Sequence, residues 1–95
     1  MEMIGQYKEL FRFQIENILE KSVRDIVFEP NSVNTLYKLR DIIDMNLFGL
    51  DSCSVYHVDV VNDDGWRIKV TVVSKLNSEE VYIVRFDENT VVIEK

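Results

Sequence analysis

Apolar side chains in the first part of the chain fall at Ile4, Tyr7, Leu10, Phe11, Ile15, Ile18, Leu19, Val23 and Ile26. Steps of three and four return to one side of a helix, so the spacing predicts a long amphipathic helix over 4–28. Arg12 with Glu16, and Glu20 with Arg24, stand four apart and are expected to pair on its wet side. The period breaks at "FEPN", which holds the one proline of the chain. Pro30 drives Glu29 out of the α region and removes a backbone donor, so the helix must stop near Phe28. Asn31 or Ser32 can then accept from the free N–H groups of a second helix, which makes Phe28, Glu29, Pro30 and Asn31 a structural corner. Phe28 is expected to fold beneath that corner into the core. The second helix is predicted over 32–48, with Val33, Leu36, Leu39, Ile43 and Leu47 as its stripe and Tyr37, Ile42 and Met45 widening it. Gly49 follows where a left-handed residue ends a helix, and Leu50 can pack back.

Beyond Asp51 the period drops to two. "SVYHVDVV" places Tyr56, Val58 and Val60 on one face and Val55, His57, Asp59 and Val61 on the other. "WRIKVTVV" sets Trp66, Ile68, Val70 and Val72 against Arg67, Lys69 and Thr71, with Val73 extending the second face. "NDDG" between them supplies turn formers and a glycine for positive φ, so the runs pair as an antiparallel hairpin. "KLNSE" leads to "EVYIVRF", and "DEN" leads to "TVVIEK". Strands are predicted at about 53–61, 66–74, 80–86 and 90–94. Helices segregated from strands give an α+β class: two N-terminal helices packed on one face of a three- to four-stranded antiparallel meander. No repeat, linker or low-complexity tract divides the chain, so 1–95 reads as a single domain.

Composition narrows the function. The chain has 95 residues, 46% hydrophobic and 29% charged, the balance of one globular domain with little room for a deep pocket. Its formal charge is −6 and its Lys and Arg are scattered, which disfavours nucleic acid as a partner. Cys53 is alone, so no intrachain disulfide forms and a reducing cytoplasm is the default. Neither a signal peptide nor an apolar run of membrane-spanning length is present, so no membrane partner is expected.

The candidate chemistry is thin. His57 and Asp59 share a strand face and could exchange a proton, but Cys53 lies roughly 13 Å upstream along an extended strand, and a surface role is the simpler reading. "DVVNDDG" fails the calcium-loop spacing, because Val61 stands where an oxygen ligand is needed. No zinc spacing exists, and Gly5, Gly49 and Gly65 are too far apart for a phosphate loop. No cofactor, metal or catalytic residue is therefore expected, and the chain reads as non-enzymatic. Trp66 and Tyr82 could stack bases, yet Trp66 opens the cleanest apolar face and is expected in the core.

One segment points outward. "TVVIEK" can close as the fourth strand of its own sheet, or it can add to a neighbour's sheet edge, where main-chain bonds supply the affinity. A helix, "FEPN", a helix closed by glycine, then "VDVVN", "RIKVTVV" and "EEVYIVRF" together resemble the C-terminal domain of contractile-tail sheath proteins of bacteriophages and related injection machines. The resemblance runs from about Leu10 to Phe86, and its most specific points are the corner and the strand from Glu79 or Glu80 to Phe86. The family's acidic segment after the first strand is only loosely matched, by Asp59, Asn62, Asp63 and Asp64. Its extended N-terminal arm and the hundreds of residues before the domain are missing, so the chain looks like a small baseplate sheath initiator rather than a full sheath subunit.

The resemblance implies a structural protein that joins neighbours by strand addition. Thr90, Val91, Val92, Ile93 and Glu94 would be the donated strand, and Val81, Ile83 and Arg85 of "EVYIVRF", or the first strand, would line a receiving edge. The implied partners are tail sheath or baseplate subunits, possibly other copies of this chain, with an oligomer allowed. The implied location is the virion tail, assembled in the host cytoplasm. The alternative is a small acidic phage or bacterial regulator, cytoplasmic, that binds and modulates a host protein through charge complementarity.

Overall fold

A computed structural model describes residues 2–26, 32–88 and 90–95. Phe28, Glu29, Pro30 and Asn31, the predicted corner, lie outside the described residues. The elements run α1 (Glu2–Asp25), α2 (Val33–Leu47), β1 (Cys53–Asn62), β2 (Trp66–Ser74), β3 (Glu79–Asp87) and β4 (Thr90–Glu94). The four strands form one antiparallel sheet in the order β1-β2-β3-β4, and both helices pack on one of its faces. This is the predicted α+β meander.

The core is the meeting of two periodicities. Phe11, Ile15 and Leu19 of α1 and Leu36, Leu39, Ile43 and Leu47 of α2 are buried against Val58, Ile68, Val70, Val72, Tyr82 and Val84 of the sheet. α2 lies over β1 and β2, while α1 reaches β3 and β4 through side-chain pairs described below. Several apolar positions assigned to the stripes face water instead. Leu10 on α1, and Tyr37 and Met45 on α2, are exposed because each lies too far round its helix from the buried row to reach the sheet. Ser22, fully buried, takes a place between the helices that apolar counting left blank; it donates to the Ile18 carbonyl at 2.7 Å and accepts from the Asn46 amide at 2.9 Å.

Trp66 is the clearest departure. It stands on the helix face as the alternation requires, yet it is 47% exposed. Its position at the start of β2 puts it at the sheet's end, beside Gly65 and the start of α2 at Ser32, Val33 and Leu36, where the layer above is only partial.

The ends and turns follow backbone chemistry. Ser32 caps α2 in an extended conformation; its carbonyl, rather than its side chain, accepts from Thr35 and Leu36 at 3.1 and 3.3 Å. Gly49 ends α2 at φ +82, and the Leu50 N–H turns back to the Leu47 carbonyl at 3.1 Å. In the β1–β2 hairpin the positive φ expected of Gly65 (+113) is shared by Asp64 (+57), a residue type that tolerates the left-handed region. Asn77 and Glu88 do the same in the next two turns, at φ +63 and +57.

Candidate functional site

The strand singled out by the sequence closes its own sheet. Residues 88 and 89 alone separate β3 from β4, and the Thr90 hydroxyl donates to the Asp87 carbonyl at 2.9 Å, folding the chain straight back. Phe86 then stands opposite Val91, Val84 opposite Ile93, Arg85 opposite Val92 and Ile83 opposite Glu94. Val91 and Ile93 pack against the core, Val92 is half-buried on the bare face, and Thr90 and Glu94 are exposed. With β4 in place, β3 is paired on both sides from Ile83 to Arg85, while Glu79 to Tyr82 pair with β2 alone. Ile83 and Arg85 therefore line no receiving edge in the single chain, while Val81 has no β4 partner and keeps that side of its backbone unpaired; all three lie on the bare face, across from Lys69, Arg67 and Thr71 respectively. Among the described residues, the sides without a strand partner belong to β1, to β4 itself and to β3 from Glu79 to Tyr82.

Side chains anchor β4 at two places. Arg85 donates from Nε to the Glu94 carboxylate on the bare face. On the helix face Lys95 Nζ lies 3.2 Å from Glu16 Oε1 and 5.9 Å from the centre of the Tyr82 ring. Glu16, Glu20, Tyr82, Ile93, Glu94 and Lys95 border a cavity of about 110 Å³ between α1 and the sheet. Close by, Arg12 Nε donates to Glu80 Oε1 at 2.6 Å, with the Glu80 side chain only 11% exposed. Arg12 and Glu16 thus pair with the sheet rather than with each other. Glu80 sits in a less hydrated setting, where a charge-assisted bond outweighs an exposed pair along the helix.

Tyr82 occupies the middle of this junction. It is fully buried, and its hydroxyl has no hydrogen-bond partner among the described residues. Burial pushes the phenol up to about 12; the charges of Glu80 and Glu16 add to the shift, and Arg12 opposes it. The group is held neutral and offers no ionic chemistry near neutral pH.

The residues with potential chemistry do not converge. His57 and Asp59 are exposed on the bare face of β1, opposite Thr71 and Lys69 respectively. Cys53 Sγ contacts the Val55 carbonyl at 3.2 Å, and burial raises the thiol above its ordinary value, away from the reactive thiolate. The turn acids serve the hairpin: the Asp63 N–H donates to the Gly65 carbonyl at 3.2 Å, and Arg67 Nη2 donates to the Asp64 carbonyl at 2.9 Å. Among the described residues no group of three or more His, Cys, Asp and Glu could hold a metal ion, and no helix is long and apolar enough to cross a membrane.

Sequence reasoning found β4 but missed the residues that fasten it. Lys95, Glu16, Glu80 and Tyr82 are far apart in the chain, and nothing local marks them as neighbours. The alternation that placed Val84 on the helix face also places Tyr82 there, and that was the available signal. Comparison of the chain with protein-family models, with curated proteins and with solved structures gives no match.

Proposed function

We propose that this chain is a non-enzymatic assembly protein that joins its neighbours by β-strand addition, in the manner the resemblance to contractile-tail sheath initiators implies. The observation that carries the reading is β4: a five-residue strand, last in the sheet, with half-buried aliphatic side chains and an open outer edge. Such a strand can exchange with a neighbour's equivalent strand, re-forming the same ladder between chains, or extend a neighbour's sheet along its free side. The partners would be sheath or baseplate subunits, and the place of action a virion tail assembled in host cytoplasm.

The test is a pull-down from the native lysate, with the full chain and a chain ending at Asn89 as baits and a peptide of residues 90–95 as competitor. Recovery of tail proteins by the full chain, lost on truncation and lost to the peptide, is the expected result. Equal recovery by both baits in the presence of the peptide would sink the strand mechanism.

A second reading has its own observation. The turns after β1 and after β3 lie at the same end of the meander and bring Asp63, Asp64, Asp87 and Glu88 to one rim. An acidic regulator would meet a basic host protein there, and its complex would dissociate as salt rises from about 0.05 to 0.5 M, whereas strand addition would persist.

A further inference from the structure

The edge of the sheet opposite β4 carries a separate signal. From Val55 to Asn62, β1 pairs with β2 alone, leaving one side of its backbone without a strand partner among the described residues. Exposed edges are normally blunted by brevity, lysine, proline or a bulge. β1 is ten residues long, contains neither lysine nor proline, carries Asp59 as its one carboxylate, and has its one register shift at its beginning, between Cys53 and Val55. Tyr56 and Val60, on the helix face, are only partly covered.

The order of residues along this edge is self-complementary about Val58. When two copies are laid antiparallel with Val58 opposite Val58, His57 faces Asp59, Tyr56 faces Val60, Val55 faces Val61 and Ser54 faces Asn62, each pair occurring twice. The faces agree as well. Val55, His57, Asp59 and Val61 belong to the bare face, and Tyr56, Val58 and Val60 to the helix face, so apolar meets apolar on both and the one acid meets the one imidazole. Other registers lack this match. A slip that centres the pair on Asp59 sets carboxylate against carboxylate, and a one-residue slip puts the two helix layers on opposite sides of the joined sheet.

We propose that a second copy of this chain docks on β1 through this register, joining two four-stranded sheets into one continuous sheet with both helix layers on the same side. The contact is isologous: it closes on itself and leaves β4 of each copy at the outer edges. It is therefore independent of strand exchange by β4.

The experiment is sedimentation equilibrium of the full chain over a wide concentration range, with His57→Asp, Asp59→Lys and the double variant compared. Both side chains are exposed, and circular dichroism confirms that each variant is folded. The wild type is expected to reach twice the mass of the 11.2 kDa chain. His57→Asp sets carboxylate opposite carboxylate twice and weakens association roughly tenfold or more, Asp59→Lys weakens it by removing the acid from opposite the imidazole, and the double variant, which sets Asp opposite Lys twice, restores it. Amide exchange of the wild type adds a readout without mutation: protection over 55–62 is expected to rise with concentration. A chain that stays monomeric throughout, or a dimer indifferent to all three variants, or one whose concentration-dependent protection falls on β4 instead, would overturn the proposal.

Discussion

Tyr82 carries a buried hydroxyl that finds no hydrogen-bond partner among the described residues, in a junction whose other members are ionic. Because an unpaired hydroxyl is costly to bury, Tyr82→Phe is expected to leave stability unchanged or to raise it by about 1 kcal/mol, as read by urea denaturation. Its pH dependence has a definite sign. The unfolded phenol loses its proton near the ordinary value of 10.0 and the folded one only near about 12. The unfolded state therefore binds fewer protons between those values, and stability falls as pH rises through that window. Below pH 10 the contribution is fully present. The Phe variant should lack this alkaline loss, and the difference between the two stability curves, up to about 2–3 kcal/mol, isolates it. Ser74 is the opposite case. It is fully buried, and its hydroxyl accepts from the N–H groups of Leu76 at 3.2 Å and Ser78 at 3.1 Å, tying the β2–β3 turn together. Ser74→Ala leaves both donors without that acceptor and should cost about 1–2 kcal/mol by the same measurement.

At the scale of elements, periodicity made the fold legible. A period near 3.6 followed by a period of two, with "NDDG", "KLNSE" and "DEN" as punctuation, is enough to place the helices and the meander, because each strand pairs with its sequence neighbour. The pattern could not tell which apolar residue of a helix reaches the sheet. Phe11 is buried while its neighbours in the same predicted stripe diverge: Leu10 is exposed and Ile15 is not. Nor could it show that Arg12 and Glu16 leave the helix surface to meet Glu80 and Lys95, since those bonds depend on how α1 lies across β3 and β4. The candidate strand was legible as a strand, but its choice between closing and donating was not, because both use the same backbone groups. Closure by β4 has a measurable weight. Ending the chain at Asn89 uncovers one side of β3 and removes Val91 and Ile93 from the core margin, so stability should drop by roughly 2–4 kcal/mol, with a smaller denaturant slope as less surface is buried.

For the whole molecule, the two layers are unequal in cover. The helix face of the sheet is packed, while the face bearing Val55, Val61, Val73, Val81, Ile83 and Val92 has no second layer among the described residues, and these side chains stay half-buried or exposed. β2, and β3 from Ile83 to Arg85, are paired on both sides, and the two strands hold Ile68, Val70, Val72, Tyr82 and Val84 at 0% exposure. Native-state hydrogen exchange should therefore find the slowest amides in β2 and β3, intermediate ones in β1 and β4, and fast ones at Gln6 to Leu10 of α1, none of which is buried. Slowest exchange in α1 would contradict this hierarchy. The strand order also governs how the molecule comes together in time. Since the spatial sequence β1-β2-β3-β4 repeats the chain sequence, every strand can find its partner by closing a loop of two to four residues, and no pairing must wait for a distant segment. Such hairpins form in about 1–10 μs. The sheet can zip from any hairpin outward, and the slow step falls to the docking of the two helices, the one event that joins the first half of the chain to the second.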